Sequence, residues 1–172
     1  MILGIGCTLL TDEGFGVRVI HEMDRRYEFP DYVELMDGGT LGVNLLGYIS
    51  QADDLIVIDA VRNKGNPGDL YRLSDRQIPE RIRAKNSLHQ VDFLEALTLC
   101  QALDKVPETV IIGVEPEDID TCGIELTPTL QARVEPVIGM VLAELDRLGV
   151  PYQEKKEDTT HVPSDSITNR PH

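Results

Sequence analysis

The sequence predicts an α/β protein, a three-layer α/β/α sandwich around a twisted, mostly parallel sheet. Two continuous apolar runs, "LIVIDAV" and "ETVIIGV", have the composition of strands that are buried on both faces of such a sheet. Around these runs, apolar residues recur at helical spacing, and an alternation of strands and helices along the chain is typical of this architecture. The 172 residues are enough for one compact domain.

The first half of the chain is predicted to contribute two strands and two helices. The first strand is apolar and ends in a glycine turn, and the helix after it repeats apolar residues at helical spacing. The second strand, "DYVELMD", is closed by two glycines. The expected elements are a strand from Met1 to Ile5, a helix from about Asp12 to Tyr27, a strand from Asp31 to Asp37 and a short helix from Leu41 to Ile49.

The second half is predicted to complete the sheet and to end in a long helix. Pro136 marks either a kink or a start inside that helix, and Gly149 is its expected stop. Residues 1–150 therefore form one domain, and residues 151–172 are too polar to bury much surface and are expected to be a floppy tail. The expected elements are strands in "DDLIVIDAV", Asp69 to Leu73 and "ETVIIGV", and helices from Val91 to Leu103 and within Leu130 to Leu148.

The charge balance restricts the possible partners. With 16 basic and 30 acidic residues the chain carries a net charge of −14, which repels nucleic acids and anionic lipid and favours a metal ion, another cation or a basic protein patch. No apolar stretch approaches the roughly 18 residues of a membrane span, and no basic region precedes the first apolar residues. Three scattered cysteines suggest no disulfide framework, so a cytoplasmic location is expected.

The N-terminal stretch "GIGCTLLTDEG" suggests a phosphate-binding loop but does not complete one. Gly4 and Gly6 supply the first two glycines of a dinucleotide fingerprint, while Leu9 stands where the third would be. Asp12 and Glu13 lie where a pyrophosphate would meet the helix, and two carboxylates there would repel it. A nucleotide-binding domain is therefore only the third hypothesis for this chain.

Three polar residues are placed where they could meet at the carboxyl edge of the sheet. Glu13 follows the first strand and shares a helix face with apolar residues, Asp59 ends "LIVID", and His89 lies at the start of a predicted helix. Two carboxylates and one imidazole suit a divalent ion such as zinc or nickel. Each residue alone also has a simpler explanation: the helix dipole for Glu13, a turn cap for Asp59 and an ordinary packed or surface position for His89.

Five sequence motifs accompany these three residues along the chain. The segments "GIGCTLLTDEGFGVRV", "VELMDGGTLGVNLLGYI", "LIVIDAV", "HQVDFLEAL" and "IIGVEPE…GIELTPTL" occur in this order between about Met1 and Gly149. Together they resemble the hydrogenase maturation endopeptidases, which remove a C-terminal extension from the large-subunit precursor of [NiFe]-hydrogenases.

The resemblance implies a role for each predicted site residue. Glu13, Asp59 and His89 correspond to the family's nickel ligands and catalytic residues. The "DGGT" segment, Asp37, Gly38, Gly39 and Thr40, corresponds to a motif associated with substrate recognition. The implied fold is the α/β/α sandwich, the implied location is the cytoplasm, and the implied cofactor is nickel supplied by the substrate, with zinc or cadmium able to replace it in vitro. Asp12 is expected to stabilise the start of the helix.

One residue departs from the family pattern. Cys7 follows the second glycine, where the family usually has Asn. A thiol near a helix N-terminus can have a lowered pKa and could form a triad with His89 and Asp59, although a small residue filling a tight turn is the simpler explanation. The acidic run "EPEDID" could attract a metal or a basic tail, or could simply be a solvated loop.

The sequence therefore supports an endopeptidase that acts on a nickel-loaded hydrogenase precursor and binds that nickel through Glu13, Asp59 and His89. A nickel-binding chaperone or sensor that uses the same three ligands without cutting a peptide bond is the alternative. Metal binding alone does not distinguish the two, because both share the ligands.

Overall fold

The structure, a computed structural model, describes residues 1–74 and 106–156. Five strands form the central sheet in the spatial order β3-β1-β4-β6-β5. The first four are parallel to one another, and β5 joins the edge antiparallel to β6. The strands are β1 Ile2–Ile5, β3 Leu35–Gly39, β4 Asp54–Ala60, β5 Leu70–Ser74 and β6 Glu108–Val114, while β2 Tyr27–Glu28 and β7 Gln153–Glu154 pair separately.

Helices lie against both faces of the sheet, as the sandwich prediction requires. Alternate residues of the strands point to opposite sides, so that Ile56 and Ile58 enter one core and Leu55 and Val57 enter the other. The first core is closed by α1 Phe15–Arg26, α3 Pro128–Gln131 and α4 Val134–Leu148, and the second contains side chains from the 3₁₀ turn Gly42–Leu45 and α2 Leu46–Ile49.

The second strand of the sheet begins later than the sequence pattern predicts. Asp31 and Tyr32 are the central residues of a turn, in which the amide of Val33 donates to the carbonyl of Pro30 over 2.8 Å. The strand therefore starts at Leu35 and includes Gly38 and Gly39, which were expected to end it.

The long C-terminal helix begins and ends at residues that the sequence marks. Pro136 is the third residue of α4, where its missing N–H has no intrahelical partner to lose, so it marks the start of the helix and not a kink. Gly149 has φ 69° and closes the helix in the left-handed conformation that glycine tolerates. The helical spacing of apolar residues predicts a buried stripe that consists of Leu130, Val134, Val137, Val141, Leu145 and Leu148. All but the partly exposed Leu148 are buried, with Val137 and Val141 fully enclosed.

The beginning of the predicted tail is ordered, so that part of the prediction is wrong. Gln153–Glu154 pairs antiparallel with Tyr27–Glu28. Tyr152 sets its ring edge-on to Tyr27 with centroids 6.0 Å apart, an interaction that the polar composition of the segment does not indicate. Residues 157–172 and the predicted helix Val91 to Leu103 lie outside the described residues.

An ion-pair network fixes the edge strand β5 to α4. Both carboxylate oxygens of Glu144 accept from the guanidinium of Arg72, over 2.5 and 3.0 Å, and Arg147 donates over 2.8 Å. The side chain of Glu144 is 8% exposed. The hydrogen bond from Arg72 is the main cause that lowers the pKa of Glu144 to about 2.

We expect Glu144→Gln to lower the free energy of unfolding by about 1–2 kcal/mol at pH 7, because the ion pairs of a buried carboxylate are lost. The loss is no larger because both arginines are half-exposed and are screened by water. Ionised Glu144 has its full stabilising effect above the ordinary pKa of 4.5 and loses it as the pH falls toward about 2. The difference between variant and wild type should therefore shrink across that window in urea titrations. Glu108→Gln, at an exposed position, is the control; a pH-independent difference would contradict the assignment.

Candidate active site

The candidate site lies at the carboxyl edge of the parallel strands, and glycines allow helix α1 to approach it. A side chain on Gly16 would overlap the carbonyl oxygens of Ile58 and Ile5, the latter at 2.6 Å. A side chain on Gly4 would meet Ile20 at 2.6 Å. The start of α1 is therefore packed directly on the ends of β1 and β4, which only residues without a Cβ permit.

Gly6 lies directly against the turn that carries Glu13. Its φ of +133° is accessible to glycine, and a Cβ there would overlap the carbonyl oxygen of Glu13. The amide of Gly6 donates to the carbonyl of Gly39 over 2.9 Å, which joins this turn to the end of β3. The glycines that suggested a phosphate loop thus allow close backbone contact between β1, β3 and the Thr11–Gly14 turn.

Glu13 and Asp59 are both buried at this edge. Glu13 is 9% exposed and lies in the 3₁₀ turn Thr11–Gly14, which contacts β4. Asp59 is 7% exposed and is the penultimate residue of β4. Buried carboxylates are stable as anions only with compensating donors or cations, and their oxygens are ligands that divalent metals accept.

The third predicted ligand, His89, lies outside the described residues. Across residues 1–74 and 106–156 no group of three or more His, Cys, Asp or Glu side chains could hold a metal ion. The carboxylates of Glu13 and Asp59 are suitable ligands for a divalent metal ion. The three-residue nickel site stays a prediction, because its third residue is not described.

Asp12 has a structural role that the sequence did not indicate. We expected it to stabilise the helix start, but its fully buried carboxylate accepts hydrogen bonds from residues more than 100 positions away. The amides of Glu117 and Asp118 donate to Oδ2 over 3.0 and 2.9 Å. The amide of Thr127 donates to Oδ1 over 2.8 Å, and its hydroxyl to Oδ2 over 3.1 Å. Asp12 therefore fixes the segment between β6 and α3 against the turn that carries Glu13.

The acidic run "EPEDID" is part of this local architecture. Glu115 is buried, and its Oε2 accepts from the amides of Asn63 and Gly65 and from the hydroxyl of Tyr71 over 2.7 Å. Burial, followed by this contact, raises the pKa of Tyr71 to about 12. Hydrogen bonds from Thr121 lower the pKa of Asp118, whose carboxylate closes a local turn. These two carboxylates hold loops in place, a role that the run did not indicate, whereas Glu117 and Asp120 are exposed, as the solvated-loop interpretation expects.

The "DGGT" segment lies beside the site and has a partner that the sequence did not reveal. Asp37 accepts from the amide of Gly39 over 3.0 Å, and its other oxygen lies 2.9 Å from Nε2 of His21. The sequence places His21 in the middle of a helix, with no role. Its position next to Ile20 and four residues after Val17, at the border of the buried face, is the signal that could have indicated a contact with the sheet edge.

Two cysteines border the site. Cys7 is half-buried in the turn after β1 and Cys122 is exposed in a loop, and both are free thiols. The carbonyl of Cys7 accepts from the amide of Leu10 over 3.1 Å, which fits its predicted place in a tight turn. The alternative triad would need His89, outside the described residues, and Cys100 also lies there.

Comparison with known proteins places this arrangement in a family. The family model described as hydrogenase maturation protease matches residues 17–144. The chain belongs to the hydrogenase maturation protease family. It is therefore a peptidase, as the sequence motifs indicated. The comparisons favour this activity over the chaperone, sensor and nucleotide-binding alternatives.

Individual relatives and a solved structure agree with the family assignment. The hydrogenase 2 maturation protease of Escherichia coli K12 is 41% identical over 152 residues, which cover 87% of this chain and 92% of that protein. The hydrogenase expression/formation protein HupM of Azotobacter chroococcum is 43% identical over 164 residues, 94% of this chain and 78% of that one. The structure of the hydrogenase maturating endopeptidase HybD from E. coli superposes with a TM-score of 0.86 at 39% identity, covering 90% of this chain and 96% of that one. Within the described ranges no helix is long and apolar enough to cross a membrane.

We expect Asp12→Asn to lower the free energy of unfolding by about 2–4 kcal/mol, because a side-chain amide replaces a carboxylate that faces four donors. Urea titration measures the loss, and amide hydrogen exchange should show faster exchange for Glu117, Asp118 and Thr127. Asp31→Asn, at an exposed turn position, is the matched control and should change stability by less than about 0.5 kcal/mol. Equal stability of the two variants would show that Asp12 does not anchor the loop.

Proposed function

We propose that this protease removes the C-terminal extension of a [NiFe]-hydrogenase large-subunit precursor after nickel has been inserted. The observation that carries the proposal is the burial of Glu13 and Asp59, two carboxylates at one edge of the sheet, beside the Asp37–Thr40 segment. Buried carboxylates in a water-poor site favour a divalent cation. In this proposal the cation arrives as part of the substrate.

Recognition of nickel would make proteolysis conditional on metal loading. Glu13 and Asp59 contribute carboxylate oxygens and His89 contributes an imidazole nitrogen to a nickel ion already held by the precursor. The shared ion fixes the scissile bond against the sheet edge, and a precursor without nickel lacks this anchor. Asp37, Gly38, Gly39 and Thr40 contact the substrate next to the ion. Selection of loaded precursor then follows from binding, because the unloaded precursor is held less well.

Hydrolysis needs an activated water and a polarised carbonyl. Two routes are compatible with the site: a carboxylate of the Glu13–Asp59 pair takes a proton from the attacking water, or the docked nickel polarises the scissile carbonyl. In both routes water adds to the carbonyl carbon, the peptide C–N bond breaks, and the released amine takes up a proton. The net charge of −14 favours a partner with a basic surface around its C-terminus.

The test is cleavage of nickel-loaded and nickel-free precursor, followed by the mass of the product. We expect a single C-terminal truncation with the loaded precursor alone. Glu13→Gln and Asp59→Asn should each reduce kcat/KM at least about 100-fold, because each removes a charged ligand and a candidate base. Glu28→Gln and Asp53→Asn, which change exposed acids away from the site, are the controls. Cleavage of both precursors at equal rates, or full activity of either site variant, would contradict the proposal.

A further inference from the structure

A groove lies beside α1, between this helix and the chain from Leu126 to the start of α4. Its volume is about 390 Å³, and its walls include Arg18, His21, Arg25, Leu126 and Gln131. Glu22 and Glu135 also line it, so the groove combines two arginines and a histidine with two acids. In a chain with 16 basic and 30 acidic residues, its lining is richer in basic groups than the chain as a whole.

Most of the charges around the groove are neutralised by a neighbour. Arg25 donates to Glu22 over 3.1 and 2.6 Å. Glu135, which also lines the groove, accepts from Arg26. These exposed pairs have little capacity left for a further ion.

Arg18 is the exception. Its Nε is a buried nitrogen that has no hydrogen-bond partner within residues 1–74 and 106–156. A buried donor on a permanently charged group destabilises the folded state unless an acceptor satisfies it. Native proteins contain few such groups, and an absent ligand is one of their ordinary explanations. Arg18 lines the groove, and because its Nε is enclosed by protein, a ligand there would meet the two terminal guanidinium nitrogens instead.

The ligand that fits is a carboxylate. The planar fork of a guanidinium matches the two oxygens of a carboxylate and binds them in a charge-assisted pair. Gln131 adds a side-chain amide donor and His21 a ring nitrogen on the same groove. The apolar wall at Leu126 would shield the pair from water.

The groove adjoins the candidate active site on two sides. Leu126 precedes Thr127, which binds the Asp12 carboxylate beside Glu13. His21, on the other side, contacts Asp37 of the recognition segment over 2.9 Å. A molecule that occupies the active site can therefore extend into the groove, which makes the substrate protein the source of the carboxylate.

We propose that Arg18, with Gln131 and His21, forms a subsite that binds a carboxylate of the hydrogenase precursor. The subsite rests on the proposed function, because the precursor is its ligand. The carboxylate belongs either to an Asp or Glu side chain or to the free C-terminus of the extension. The subsite binds the substrate and takes no part in bond cleavage.

The test measures binding and cleavage of the same nickel-loaded precursor by the full chain. Arg18→Gln should raise Kd and KM at least about tenfold and leave kcat unchanged, since a charged pair outside the reacting atoms is lost. Arg18→Lys should restore only part of the affinity, because lysine lacks the fork. Lys156→Gln removes the same charge away from the groove and should change neither constant.

Stability separates this role from a structural one. Because the buried Nε of Arg18 has no partner among the described residues, Arg18→Gln should unfold at the same urea concentration as wild type or at a higher one. A marked loss of stability would indicate that Arg18 supports the fold, and would contradict the proposal.

Peptides of the extension distinguish the two sources of the carboxylate. If a peptide with a free C-terminus inhibits wild type and its C-terminal amide does not, the α-carboxylate is the ligand. Equal inhibition by both, lost when an acidic residue of the peptide becomes alanine, assigns a side chain.

Unchanged Kd and KM in Arg18→Gln overturn the subsite and leave the proposed function standing. Binding that depends on Arg18 without any cleavage by wild type would instead overturn the proposed function, and absence of binding by wild type would overturn both.

Discussion

The hydrogen bonds of the Asp12 carboxylate are the constraint on which the site depends. One fully buried side chain binds three amides and a hydroxyl of the segment between β6 and α3. Thr127, which supplies two of these donors, also caps α3, since its hydroxyl accepts from the amide of Leu130. The turn that carries Glu13, the loop beside it and the start of the C-terminal helices are thereby joined at one point.

Two neighbouring acids thus serve opposite purposes. Asp12 is saturated by backbone donors and holds the fold, whereas Glu13 is buried next to the end of β4, where Asp59 lies. The glycines at positions 4, 6 and 16 make this possible because a side chain at any of them would overlap backbone or core atoms. A phosphate at this edge would be repelled by carboxylates, whereas a cation would find oxygen ligands, which supports the proposed cation site.

The parts of the fold that depend on local pattern could be predicted from the sequence. The buried strands β1, β4 and β6 follow from apolar runs, and α4 follows from its stripe with Pro136 and Gly149 at its ends. The antiparallel pairing of β5, the strand at Gln153–Glu154 and the later start of β3 depend on partners or turns elsewhere in the chain. Local periodicity does not contain that information.

The candidate site divides in the same way. The places of Glu13 and Asp59 follow from strand ends and helix periodicity, and the family follows from motifs along the chain. The anchoring by Asp12 could not be predicted, because it joins residues more than 100 positions apart. For His21, helix periodicity indicates a contact with the sheet edge but does not identify Asp37 as its partner. The role proposed for Arg18 could not be predicted from the sequence, because the missing partner of its buried Nε is visible only in the folded chain.

If this protease and its substrate share one nickel ion, as we propose, X-ray absorption at the nickel K-edge should detect the ligands that the protease adds. The spectrum of nickel-loaded precursor would be recorded alone, with wild-type protein and with a Glu13→Gln/Asp59→Asn double variant, under conditions that trap the complex before cleavage. We expect additional oxygen and nitrogen neighbours around nickel with wild type, and loss of the added oxygen neighbours with the double variant, which keeps His89. An unchanged nickel environment in a complex that goes on to cleave the precursor would contradict it.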